Sequence, residues 1–231
     1  MAEDAPPDPG PRGQRRPRGP ALSAERILTE SMALIDAEGL DAFSFRTLAA
    51  RLGCQAMSIY HYFPSKTHLY EALVDVCLAE MPDVTQQGTW QDRMRHAVAA
   101  YRRMALTHPG FFLYFGTFRL NNRAGMGFLD RILRIYAATG LPVEARARHF
   151  RIMGYYLVGA LIDETMGYAR GPSAVTPVPA EEAQRDFPAV MAVGPYFGPD
   201  RHQATFDAGI DILIAGIEAE ITQCAAGRSG S

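Results

Sequence analysis

Two runs decide how this chain is read: Phe45-Arg46-Thr47-Leu48-Ala49-Ala50-Arg51-Leu52-Gly53 and, after four intervening residues, Ser58-Ile59-Tyr60-His61-Tyr62-Phe63-Pro64-Ser65-Lys66. Ser44 stands where an N-cap hydroxyl would accept a hydrogen bond from the first free amides of a helix. Gly53 stops that helix and supplies a residue tolerant of positive φ for a tight turn. A second short helix fits residues 55–60, and Pro64 closes it. Two short helices that cross closely need a small residue at the crossing, and Ala49 is placed there. Leu48, Leu52 and Ile59 then share one small core. Together these features predict a helix-turn-helix.

Outward from this unit the pattern stays helical. Ser23 opens a helix carrying Ile27, Leu28, Ser31, Leu34 and Ile35 on one face, and Gly39 is placed for a left-handed cap at its end. After Ser65 an amphipathic helix turns Leu69, Leu73, Val76 and Cys77 inward. Further helices are predicted over 90–108, 111–119, 127–139, 142–168 and 201–224, with Pro142 in a first turn. Residues 171–199, rich in Pro and Gly, read as a mostly irregular loop with a short helix near 181–185. The fold class is therefore all-α. The expected division is a disordered tail (1–20), a three-helix unit holding the helix-turn-helix (21–68), a larger helical domain (69–225) and a short disordered tail (226–231).

Composition narrows the function. The chain has 231 residues, a formal charge of −2 and no apolar run near the ~20 residues that span a bilayer. Its Pro/Gly/Arg-rich start has no apolar segment of the kind that begins a secretory signal, so a cytoplasmic location is expected. Charge is uneven. Residues 10–70 hold eight basic side chains against five acidic ones, a positive head on an acidic body, which suits a phosphate-binding module. Arg12, Arg15, Arg16 and Arg18 read either as a groove-entering arm or as a solvated tail. Cys54, Cys77 and Cys224 lie far apart, which fits neither a disulfide framework nor paired zinc ligands.

The two opening runs resemble the DNA-binding signature of the tetracycline-repressor (TetR) family of bacterial transcription regulators, most sharply in Tyr60-His61-Tyr62-Phe63-Pro64-Ser65-Lys66. The resemblance covers residues 24–75. It implies a three-helix unit whose third helix enters the major groove, and a homodimer that sets two such helices about 34–36 Å apart on a near-palindromic double-stranded operator. By position, Arg46 and Thr47 start the second helix, with Arg46 a candidate for bidentate contact to guanine. Gln55, Ala56, Met57 and Ser58 occupy the turns that read bases. Tyr60, His61 and Tyr62 reach phosphate or sugar, with packing the alternative for Tyr60 and the favoured role for Phe63. Lys66 clamps a phosphate.

The second half is aromatic. Phe111, Tyr114, Phe115, Thr117, Phe118, Asn121, Met126, Phe128, His149, Met153 and Tyr156 form the candidate set for a small-molecule effector, against the plainer reading that the rings are core. Tyr155, Met166 and Tyr168 belong to the same aromatic and methionine-rich run. Gly116-Thr117, the run 159–164 and the run 206–210 are similar to the C-terminal domain of tetracycline repressors. Those repressors place a metal-binding histidine where this chain has Tyr114, so no metal and no other cofactor is expected. The resemblance also implies an interface of paired helices, assigned to Phe150, Leu157, Ala160, Leu161, Phe206, Ile210, Leu213, Ile214, Ile217 and Ile221, with Gly209 and Gly216 allowing close approach; packing within one chain is the alternative. No phosphate loop, nucleophile elbow or paired metal spacing marks an enzyme. A redox-responsive regulator acting through Cys54 and a ligand-independent DNA-binding protein are the remaining readings.

Overall fold

The computed structural model describes residues 21–81, 88–167 and 176–229, and among these every regular element is helical. The arginine-bearing tail, Tyr168, the first part of the Pro/Gly stretch and the final two residues lie outside the described residues.

The first three helices form the predicted unit. Ser23 caps α1 (Ala24–Glu38) through its hydroxyl, which accepts from the Arg26 amide at 3.1 Å. Ser44 and Thr47 make a reciprocal capping box at the start of α2 (Phe45–Leu52), and Gly53 ends it at φ 68°, ψ 34°, the left-handed region a side chain resists. The third helix, α3 (Ala56–Tyr60), is short. Leu48, Ala49, Leu52 and Ile59 are buried together as the spacing predicts. Gly39 departs from expectation. It has positive φ (82°) but ψ 162°, so the chain leaves α1 extended rather than through a left-handed cap.

Ser65 caps α4 (Lys66–Glu80), which buries Leu69, Leu73, Val74, Cys77 and Leu78 and leaves Val76 half-buried. This helix packs on α1 at one side and on α7 (Arg123–Ala137) at the other, so it belongs to both halves of the molecule. The second half is built on α8 (Val143–Met166), against which α5 (Trp90–Thr107), α6 (Pro109–Thr117), α7 and α11 (His202–Ser229) all pack. Pro142 is the cap of α8, one position before the predicted first turn.

The Pro/Gly stretch is more regular than its composition suggests. It folds into α9 (Ala180–Asp186), α10 (Pro188–Val193) and two 3-10 turns, Gly194–Tyr196 and Pro199–Arg201. Proline is tolerated in the first turn of a helix, and Pro188, Pro195 and Pro199 each occupy such a position. None of these elements buries a residue.

The two halves meet where α6 begins. Gly110 lies so close to the last turn of α1 that a Cβ on it would collide with the Ile35 carbonyl and the Asp36 Cα. Both obstacles are backbone and cannot swing aside. Gly110→Ala is expected to cost about 1–3 kcal/mol in urea unfolding, the usual range for overpacking; an unchanged midpoint would show that α6 can slide on α1.

Candidate functional site

The face of α2 and α3 that points away from the body is set by the caps. Burying Phe45, Leu48 and Leu52 on one side of α2 leaves Arg46 and Thr47 on the other, and burying Ile59 leaves Gln55 and Met57 exposed. Met57 is 66% exposed, an unusual placement for its side chain, and half-buried Ala56 and Ser58 flank it. His61 is exposed beside them. This set offers one guanidinium, an amide, an imidazole and apolar surface suited to thymine methyl groups.

Three residues of the set also hold the unit together. Thr47 donates its hydroxyl to the Ser44 carbonyl at 2.8 Å. Tyr62 donates to the Leu22 carbonyl at 2.8 Å, tying the chain ahead of α1 to the end of α3. Lys66 donates to the Phe43 carbonyl at 2.5 Å and sits 5.7 Å from the Phe43 ring centre. Its remaining ammonium protons are still available to a phosphate. Tyr60 is 47% exposed yet meets Phe45 edge-on at 4.9 Å, so it serves packing and surface at once, whereas Phe63 is core.

The second half holds an apolar cavity of about 190 Å³, partly open to solvent and lined by α5, α6, α7, α8 and the segment before α7. Met94, Ala97, Val98 and Tyr101 of α5 form one wall, and Phe128, Leu129 and Ile132 of α7 another. Gly116 closes it on α6, and Phe150, Gly154, Leu157 and Val158 on α8. Of the candidate ligand residues, only Phe128 lines this cavity. Phe111, Phe115 and Met153 are core. Tyr114 and Thr117 line a separate open groove between the halves. Phe118 stacks on Tyr114 at 5.6 Å, and Asn121 and Met126 face outward. His149 pairs with Glu220 at 2.8 Å, and Tyr156 donates to the Phe206 carbonyl at 2.9 Å.

The wall on α5 was missed although its spacing, 94, 97, 98, 101, is a helical stripe. Tyr101 is held by Phe112 and Phe115 at 5.9 and 5.8 Å, and its hydroxyl makes no hydrogen bond to any described residue. Burial pushes its pKa up, so it stays a neutral donor. Tyr136, edge-on to Phe150 at 6.0 Å, has a buried hydroxyl that likewise lacks a partner among the described residues.

The predicted interface divides. Leu161, Phe206, Ile210, Ile214 and Ile217 are buried within the chain, because α11 lays this stripe on its own domain. Leu213, Ile221 and Ala160 are half-buried against the same core, and Phe150 and Leu157 line the cavity. Gly209 is needed for Tyr156, whose ring occupies the space a Cβ would take. The outer face of α8 and α11 instead presents Ile152, Tyr155, Gly159, Ala208, Ile212 and Gly216. Arg102 of α5 fixes α11 from within, pairing with Glu164 of α8 and Gln203 while covering the Phe206 ring at 5.3 Å.

Between the reading face and the cavity lies a charged junction. His108, where α5 turns into α6, meets Asp36 of α1 through Nδ1 at 2.9 Å and Glu80 of α4 through Nε2 at 3.1 Å. The other Asp36 oxygen accepts from the Gly110 amide at 3.2 Å. The Asp36 hydrogen bond raises the His108 pKa; partial burial opposes the rise, and Glu80 adds to it.

The three cysteines are free. Burial, with Glu80 and Asp36 nearby, pushes the Cys77 thiol up to about 12, which keeps it inert. Cys54 is half-buried in the α2–α3 turn. Among the described residues no helix is long and apolar enough to cross a membrane, and no cluster of three or more His, Cys, Asp or Glu side chains is suited to hold a metal.

This architecture has relatives. Residues 27–73 match the description "Bacterial regulatory proteins, tetR family", and residues 81–221 match "Tetracyclin repressor-like, C-terminal domain". The chain is 27% identical over 234 residues to the HTH-type transcriptional repressor DrrR1 of Streptomyces coeruleorubidus, covering 94% of this chain and 84% of that protein. A possible TetR family transcriptional regulator of Streptomyces coelicolor A3(2) superposes with TM-score 0.73 at 22% identity, over 85% of this chain and 99% of the other. ActR of Streptomyces coelicolor, solved in complex with actinorhodin, gives TM-score 0.67 at 23% identity over 87% and 99%.

The junction carries a pH signature. A histidine raised in the folded state stabilises it fully below the unfolded pKa of about 6.5, and that contribution fades as pH rises through the raised value. The stability advantage of the parent protein over His108→Gln should therefore be largest below about pH 6.5 and shrink as pH rises through the raised value. A difference constant over that range, by thermal melts, would mean that the imidazole is neutral at the junction.

Proposed function

The chain belongs to the tetR family of bacterial regulatory proteins, and we propose that it is a homodimeric repressor, held on a near-palindromic operator and released when a small apolar effector fills the α5–α8 cavity. The observation that carries this reading is the position of α6. It starts at the His108 junction with the DNA-binding unit, and Gly116, two turns on, is part of the cavity wall. A molecule seated in the cavity acts on the same nine-residue helix that abuts α1.

In this mechanism Arg46 reads a guanine edge, Gln55, Ala56, Met57 and Ser58 lie over bases, and Thr47, Tyr60, His61, Tyr62 and Lys66 position the unit on the backbone. The effector acts only through its differential affinity for two arrangements of the dimer, of which one matches the operator spacing. DrrR1, described as a repressor, and ActR, solved with actinorhodin, support both halves of the reading. Dimerisation is assigned to the outer face of α8 and α11. Ile212 (72% exposed) and Tyr155 (68% exposed) are large side chains left open there, and Gly159 and Gly216 have free space above them.

Two measurements test the assignment. Arg46→Ala should weaken specific operator binding by about 1–3 kcal/mol in fluorescence anisotropy at fixed salt, with the mass in light scattering unchanged; full affinity would remove Arg46 from the reading set. Ile212→Glu should give folded monomers that lose the operator, whereas Ile214→Glu, which buries a charge inside the chain, should unfold. A stable dimer of the first variant would place the interface elsewhere.

A further inference from the structure

The cavity also restricts what can occupy it. Thirteen residues line it, none of them carries a charge, and Tyr101 is the only one whose side chain bears a nitrogen or oxygen atom. A charged group moved into such a space without a partner faces a large desolvation penalty. The Tyr101 hydroxyl makes no hydrogen bond to any described residue, so its proton is available to an acceptor placed in the cavity. Its ring packs against Phe112 and Phe115 at 5.9 and 5.8 Å between ring centres. Volume sets the size. An apolar cavity of about 150 Å³ accepts benzene, and this one measures about 190 Å³. Cavities for drug-sized molecules run from about 300 to 1,000 Å³.

Resting on the regulator reading, we propose that the effector is a neutral, compact molecule of one or two fused rings bearing a single hydrogen-bond acceptor, and that Tyr101 selects it by donating to that acceptor. The selection follows from an asymmetry: an acceptor without a donor pays for its lost water, while an apolar analogue gives up only the one hydrogen bond. Carboxylates, ammonium compounds, metal chelates and large polycyclic molecules fall outside the class. Gly154 and Gly116 keep the space open. A Cβ on Gly154 would meet nothing within 4 Å, so a larger side chain there grows into the free volume.

Three probes of one skeleton separate the terms: indane, 1-indanone and indane-1-carboxylate, titrated calorimetrically into the full-length protein. Anthraquinone serves as the oversized probe. The expected order is 1-indanone about three- to tenfold tighter than indane, the range for one net hydrogen bond, with no heat from the carboxylate or from anthraquinone. Tyr101→Phe should erase the preference for 1-indanone and leave indane unchanged, which also reports that the variant is folded. Gly154→Leu should abolish binding of both neutral probes in a protein that still melts cooperatively. The proposal is overturned if indane and 1-indanone bind alike, if the carboxylate or anthraquinone binds as well as 1-indanone, or if no probe binds at millimolar concentration. It is equally overturned if Tyr101→Phe keeps the preference or Gly154→Leu keeps the binding. Operator anisotropy on the same preparations distinguishes the two levels. Specific DNA binding without this ligand pattern sinks the effector class alone, and the ligand pattern without specific DNA binding sinks the regulator reading.

Discussion

The contact on which the rest depends is the approach of α6 to the end of α1. Only a glycine at position 110 allows it, because the Ile35 carbonyl and the Asp36 Cα stand where a side chain would begin. Once backbone meets backbone, the polar groups around the contact are fixed as well. Asp36 accepts from the Gly110 amide with one oxygen and faces His108 with the other. Glu80 brings α4 to the same imidazole. One residue thereby connects α1, α4 and the α5–α6 corner. The orientation of the exposed α2–α3 face relative to the cavity is set there.

Around this junction the rings form a path rather than a cluster. Phe118 and Phe111 stack on Tyr114 of α6, Tyr114 meets Tyr70 of α4 at 5.1 Å, and Tyr70 meets Phe43 at 5.7 Å. Phe43 continues to Phe45, and Phe45 to Tyr60 at the end of the recognition helix. Close-packed interiors transmit displacement because they lack free volume in which to absorb it. Spatial continuity alone does not establish energetic coupling. Of the aromatic side chains that the sequence offered for ligand contact, Phe111, Tyr114 and Phe118 lie on this path, Phe115 and Tyr156 pack within the second half, and Phe128 lines the cavity.

The N-terminal unit was legible in the sequence because its determinants are local. Ser44 with Thr47, Gly53, and the 48/49/52/59 set each act within about fifteen residues, where cap and turn chemistry holds without tertiary context. The all-α class was legible for the same reason. The cavity was not, since its walls come from four helices and no residue announces at sequence level which neighbour it will face. Helical periodicity identified the buried stripe of α11 but could not say whether the covering partner was α8 of the same chain or a second chain. Phe206, Ile210, Ile214 and Ile217 turn inward, and the outer face of Ile212 and small residues carried no periodic signal to read. Composition misled once. Pro188, Pro195 and Pro199 suggested irregular chain, whereas each starts a helical turn.

The energetics of the proposed switch constrain how firm that junction can be. A compact ligand binding with micromolar affinity has about 8 kcal/mol in all, and only its preference between two states, typically about 1–3 kcal/mol, can do regulatory work. Two identical sites in the proposed dimer would double that difference. Swinging a population from about 1:99 to 99:1 needs roughly 5.5 kcal/mol, close to the limit of what two such ligands supply. The two arrangements must then lie near balance without the ligand. The contacts that join the halves include polar ones that can be remade, one hydrogen-bonded aspartate and one imidazole shared by two carboxylates, beside the ring contacts between α4 and α6.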